Sequence, residues 1–160
     1  MNNKKALKDL LSIKKVSDSL GLDTVLLFGT ALGACRDKKF LRGDRDVDVG
    51  IEGKEHREDI LRGLLGNGFK VRPGSERFPD SGHLPLKRGV DVDIYLLEKN
   101  GDGLTCWVNK DFPAIAIPHK CLQKERITFY GEEYTVFSPE PYLSHVYGPD
   151  WKVVWNKQEK

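Results

Sequence analysis

The sequence has no apolar run long enough to cross a bilayer, which takes about twenty residues. Its opening stretch, MNNKKALKDLLSIKK, scatters charges where a secretory leader needs an unbroken apolar core. Cysteine is scarce: Cys35, Cys106 and Cys121 are odd in number and far apart. They fit neither a zinc pattern nor a disulfide framework, and they read as reduced thiols of a cytoplasmic protein. Net charge is also small. Lys and Arg number 26 against 24 Asp and Glu, which leaves +2 and no broad basic stripe for nucleic acid. Internal repeats, low-complexity tracts and linkers are missing too. What remains, at 160 residues, 39% hydrophobic and 31% charged, is a rather polar single domain spanning 1–160. It has no transmembrane segment. The lysines of its first helix allow at most a transient contact with a membrane surface, and a solvated helix face is the plainer reading.

The chain is organised around LLFGTALGACRDKKFLRGDRDVDVGI, residues 26–51. Val25 to Phe28 form a short apolar run of the kind a buried strand makes. Gly29 permits a tight turn and close approach of a ligand. The Thr30 hydroxyl and the first amides of a helix from Ala31 to Asp37 then face an anion. Next comes a strand in which Asp44, Asp46 and Asp48 share one face while Val47 and Val49 face the core. Like charges this close are unfavourable unless a cation sits among them. Carboxylates are hard oxygen ligands, which suits Mg²⁺ or Mn²⁺. Arg36, Lys38, Lys39, Arg42 and Arg45 surround the acids in sequence, and Arg meets phosphate oxygens best.

The other elements follow from periodicity and turn chemistry. A helical stripe of Leu7, Leu10, Leu11, Ile13, Val16 and Leu20 runs over Lys4 to Leu20, with lysines and aspartates on its outer face. A second helix spans Lys54 to Leu65, with Ile60, Leu61, Leu64 and Leu65 inward. Phe69 to Val71 is a short strand, and Pro73 to Gly82 a loop rich in turn formers. His83 to Lys87 reads as a strand, followed by a basic turn. Val90 to Leu97 is strongly β-prone, yet Asp91 and Asp93 interrupt one face, which a buried strand avoids without compensation. Leu104 to Val108 reads as a strand, Asp111 to Pro118 as mixed structure broken by two prolines, and His119 to Leu122 as one helical turn. A hairpin at 126–137 leads to a helix opened by Ser138-Pro139 and closed by Gly148-Pro149. A polar tail holds Trp151 and Trp155.

Two acidic strands beside a Gly-Thr turn at a helix start make a metal-and-phosphate site. Divalent ions there clamp the attacking and leaving oxygens of a phosphate. Gly-Thr, a helix, alternating aspartates and a later strand aspartate together resemble the nucleotidyltransferase fold shared with polymerase β. Within it the chain resembles the LicD/fukutin family of phosphotransferases. FGTALGACRDKKFLRGDRDVDVGI is similar to that family's first block, VDIYLLE at 92–98 to its second, and ITFYGEEYTVFSPEPYLSHVYGPDW at 127–151 to its C-terminal block.

The resemblance implies an α+β domain: a mixed β-sheet with helices mainly on one face. It implies metal-dependent transfer of a phospho-alcohol, such as phosphocholine, ribitol phosphate or glycerol phosphate, from a CDP-activated donor to a glycan hydroxyl. Asp46 and Asp48 would be the metal-binding pair and Asp93 the third acid, beside the acceptor hydroxyl. Gly29, Thr30 and Arg36 would hold donor phosphate, with Arg42 and Arg45 on the pocket wall. Arg42-Gly43 stands where the family has Pro-Trp, which removes one wall of an aromatic cage for choline. Asp44 and Asp91 are left open as further metal contacts. Two other readings stand beside this one. The first is a nucleotidyltransferase that moves a nucleoside monophosphate from a triphosphate to a small molecule or protein. The second is an inactive nucleotide-binding module.

Overall fold

The computed structural model describes residues 1–74, 80–109 and 111–154. Helix α1 (Asn3–Ser19) leads into β1 (Thr24–Leu26), a short helix α2 (Phe28–Leu32) and β2 (Asp46–Glu52). Then come α3 (Arg57–Gly66), β3 (Lys70–Val71), β4 (His83–Lys87) and β5 (Asp91–Asn100). The chain closes with β6 (Gly103–Asn109), β7 (Phe112–Ile117), β8 (Lys124–Phe129), β9 (Glu132–Phe137) and α4 (Pro139–Tyr147). The strands form one mixed sheet in the order β3-β4-β5-β2-β1-β9-β8, with β6 and β7 continuing from the far end of β5. The fold is therefore α+β with a mixed sheet. No helix of the described residues is long and apolar enough to cross a membrane.

Strand β2 is central, antiparallel to β1 and parallel to β5. Val47, Val49 and Ile51 on one of its faces are fully buried, as are Val92, Ile94 and Leu96 of β5. Helix α1 packs on β1, β2 and α3, and α2 packs on β2 and α4. The small residue Gly63 permits the α1–α3 contact, because a Cβ there would meet Val16 at 2.8 Å.

Several expectations change. The strand with the acids begins at Asp46, so Asp44 lies in the preceding turn and not on the strand face. The helix after β1 begins at Phe28 rather than Ala31, and its last turn, Gly33–Asp37, is a π-helix. Residues 112–117, expected to be broken by prolines, form β7. Register shifts around Trp107 let β6 accommodate Pro113, as a bulge does. Leu65 of α3 is exposed, not inward, and Leu61 is only partly covered. Cys106 and Cys121 are free thiols in the core, while Cys35 is half-buried. Trp151 is docked and buried rather than part of a loose tail. Trp155, and residues 75–79 of the expected loop, lie outside the described residues.

The largest departure is Asp9. It belongs to the expected outer face of α1, yet it is 1% exposed. Its carboxylate accepts from the Arg88 guanidinium at 2.8 Å and from the backbone amides of Gly89 and Val90 at 2.8 and 2.9 Å. Arg88 in turn donates to the Lys8 carbonyl and Ser12 Oγ, and stacks on Phe69. A buried carboxylate is tolerable only when paired and hydrogen-bonded in this way. The cluster ties α1 to the turn that starts β5.

Candidate active site

Parallel pairing of β2 with β5 sets Asp46 opposite Asp91 and Asp48 opposite Asp93. Since alternate residues share a face, all four carboxylates lie on the same side of the sheet. One oxygen from each of Asp46, Asp48 and Asp93 lies within 4.8 Å of the others. Asp48 and Asp93 are 8% and 6% exposed, and Asp46 is half-buried. Burial pushes the Asp48 carboxyl up to about 8, and the charges of Asp46, Asp93 and Asp44 push the same way. A group of hard oxygen donors this close, repelling one another, can hold a metal ion, and its chemistry fits Mg²⁺ or Mn²⁺.

Two residues that sequence reasoning missed complete the cluster. Arg72 Nη2 and His83 Nε2 both bond to Asp93 Oδ1, the histidine at 2.6 Å. Arg72 also lies 3.9 Å from Asp91, whose other oxygen pairs with Lys87 at 3.0 Å. A signal existed. In the β4–β5 hairpin Lys87 faces Asp91, Pro85 faces Asp93 and His83 faces Tyr95. The polar positions of β4 therefore fall on the acid face, within diagonal reach of β5. Asp91 is thus the partner of Lys87 and Arg72, and it stands outside the three-carboxylate group.

The turn between β1 and α2 closes on the same acids. Phe28 adopts a left-handed φ of 43°, which is costly for a bulky side chain. Its amide donates to the Tyr142 hydroxyl at 3.1 Å. Its ring meets Tyr95 edge-on at 5.6 Å, and Tyr95 stacks on His83 at 4.9 Å. At Gly29 a Cβ would overlap the Asp44 carboxylate, so glycine is needed for that approach. Burial raises the Asp44 carboxyl above the usual range. Thr30 is fully buried, and its hydroxyl accepts from the Asp48 amide at 3.0 Å. Within the fold, then, Thr30 fixes the β2 backbone at the acid itself.

The basic residues are spread out. Arg36 is half-buried, bonded to Asp37 through two nitrogens at 2.7 and 3.2 Å and to the Trp151 carbonyl at 3.3 Å. Arg42 and Arg45 are exposed, and among the described residues neither is ion-paired. The Arg45 amide donates to Asp44 Oδ1. Tyr147, at the end of α4, stands near the acids and Arg36. Burial, then the Asp48 and Asp44 charges, push its hydroxyl up to about 12.

No family model matches the chain, and no curated protein does. The LicD/fukutin resemblance therefore finds no support there. Among solved structures the chain is similar to a lincosamide antibiotic adenylyltransferase bound to lincomycin, with TM-score 0.61 and 18% identity over 85% of this chain and 82% of that one. It is similar to the antibiotic-resistance factor ANT(2″)-Ia in solution, with TM-score 0.62 and 16% identity over 97% and 78%. ANT(2″)-Ia in complex with adenylyl-2″-tobramycin gives TM-score 0.57 and 15% identity over 92% and 79%. The fold is that of these structures.

Proposed function

We propose that this chain is a nucleotidyltransferase that moves a nucleoside monophosphate from a triphosphate onto a hydroxyl of a small molecule, working as one domain. The observation that carries the reading is the Asp46–Asp48–Asp93 group beside Gly29 and Thr30 in the first turn of α2. The fold neighbours, which include an adenylyltransferase and a complex with an adenylylated antibiotic, favour this reading over CDP-alcohol transfer to a glycan. ATP, as the adenylate donor, is accordingly the first triphosphate to test.

Asp46, Asp48 and Asp93 would hold Mg²⁺ or Mn²⁺, which neutralises charge on the donor phosphates and on the leaving group. The acceptor oxygen attacks the α-phosphorus, an O–P bond forms, and the bond to pyrophosphate breaks. Asp93 stands on the strand next to the Asp46–Asp48 pair, and it takes the hydroxyl proton as that oxygen attacks. The Gly29 turn lets the donor approach the backbone, and Arg42 and Arg45, on the exposed loop before β2, supply charge for its outer phosphates.

The test is a screen of nucleoside triphosphates and CDP-alcohols with small polyhydroxylated acceptors and Mg²⁺, reading pyrophosphate and CMP. Pyrophosphate release with a mass gain of one nucleotide on the acceptor is expected. CMP release from a CDP-alcohol, with every triphosphate intact, would return the assignment to phospho-alcohol transfer.

A further inference from the structure

Asp93 Oδ1 receives two donors, Arg72 and His83. A carboxylate oxygen has two lone pairs, so these two donors fill Oδ1 and Oδ2 is the oxygen left for a metal ion. The two donors are held in different ways. His83 is held by its stack on Tyr95 and by its place in β4. Arg72 follows β3, its backbone fixed by a bond from its amide to the Pro85 carbonyl at 2.9 Å. Its charge sits on a long stem between Asp93 and Asp91. It is the one guanidinium in the described chain that is ion-paired to the acids of β5.

We propose that Arg72 is a positioning residue that exchanges partners. It holds Asp93 before the donor binds and turns to the phosphates of the donor when it arrives, while His83 keeps Oδ1 occupied. The proposal rests on the triphosphate-donor reading above. A guanidinium that leaves a carboxylate for a phosphate keeps its planar, two-pronged bonding throughout. Asp91 retains Lys87 when Arg72 moves, and Asp93 retains the bond to His83.

The exchange has a consequence with opposite signs. Arg72 repels a free divalent ion at the acid cluster and attracts a phosphate-bearing one. A purely structural residue would shift both affinities in the same direction. The experiment is calorimetry on the full chain with two probes, Mn²⁺ alone and Mg²⁺ tripolyphosphate, which carries the anion without a base. Arg72→Gln is expected to bind Mn²⁺ about tenfold more tightly, as removal of a unit charge a few ångströms from a divalent ion implies. The same variant is expected to bind Mg²⁺ tripolyphosphate several-fold more weakly. Arg72→Met, which keeps the apolar stem, is run beside it, and thermal unfolding selects the variant that folds. Arg72→Lys keeps the charge and is expected to leave Mn²⁺ affinity within about twofold. Equal affinities, or shifts of the same sign for both probes, would overturn the exchange. If the α,β-methylene analogue of ATP, with Mg²⁺, does not bind while both simple probes behave as expected, the adenylate-donor reading falls and the exchange stands.

Discussion

Asp48 and Asp93 are register partners on adjacent parallel strands, and each is more than nine-tenths buried. Two carboxylates in that relationship repel across a short gap with little water to screen them. The fold tolerates this because Arg72 and His83 hold Asp93 from one side while the Thr30 hydroxyl binds the Asp48 amide from the other.

Asp48→Asn keeps the shape and removes one charge from the cluster. We expect pyrophosphate release to fall on the order of a thousand-fold or more, with Asp46→Asn and Asp93→Asn alike and the combined loss far from additive. We also expect the metal-free variant to unfold at a higher temperature, since repulsion is relieved by roughly 1–2 kcal/mol. Kinetics and thermal melts of the same preparations check both halves.

Acid pH should stabilise the metal-free protein. The Asp48 carboxyl titrates near 3.8 when unexceptional and near 8 in the fold. Between those values the folded chain holds a proton that the unfolded chain has released, so stability falls as pH rises through the window. Asp44, also raised, adds to the same trend. Melting temperatures from pH 5 to 8 should therefore decline, and Asp48→Asn should flatten the decline. The gain on adding Mg²⁺ should be larger at pH 8 than at pH 6, because a proton no longer competes for the site. A flat wild-type profile would contradict this account of the cluster.

Asp9→Ala should be the most damaging change far from the acids. It strands Arg88 and the amides of Gly89 and Val90. Breaking a buried pair by removing one partner costs about 3 kcal/mol or more. Denaturant unfolding measures it. Mn²⁺ titration should also weaken, since Asp9 fixes the turn from which Asp91 and Asp93 follow.

Gly29 and Gly33 should separate under substitution to alanine. At Gly33 the new Cβ meets the Lys39 backbone carbonyl oxygen at 2.5 Å, and backbone in a π-turn does not yield cheaply. At Gly29 it meets the far end of the Asp44 side chain, which can rotate. We expect Gly33→Ala to lose several kcal/mol of stability and Gly29→Ala about 1 kcal/mol or less. Gly29→Ala should instead impair turnover, through crowding at the donor turn. Melts and initial rates on the two variants decide it.

The acid strands and the C-terminal hairpin and helix were legible in the sequence because each carries its own local signal, whereas Gly29 and Thr30, read as a turn, lie within the first turn of α2. Alternation marks β2 and β5, and Ser138-Pro139 marks the start of α4. What could not be read depends on register between distant segments. Arg72 and His83 become site residues only through the pairing of β3, β4 and β5. Asp9 looks like any outer-face aspartate until the 88–90 turn is brought to it. Pro113 argued against a strand because a bulge in β6 has no signature in β7 itself. The choice between phospho-alcohol and nucleotide transfer was not legible either, since the same carboxylates serve both chemistries.

The parallel pairing of β2 with β5 also sets a timetable. Asp46 and Asp48 are synthesised well before Asp93, and α3, β3 and β4 come between them. Parallel pairing at that separation forms slowly, after local helices and hairpins. A chain on the ribosome thus carries at first only two of the three carboxylates, and early in refolding the third is not yet brought to them. Tight Mn²⁺ binding should appear as the last event in refolding, making the ion a reporter of the finished sheet and not a nucleus for it.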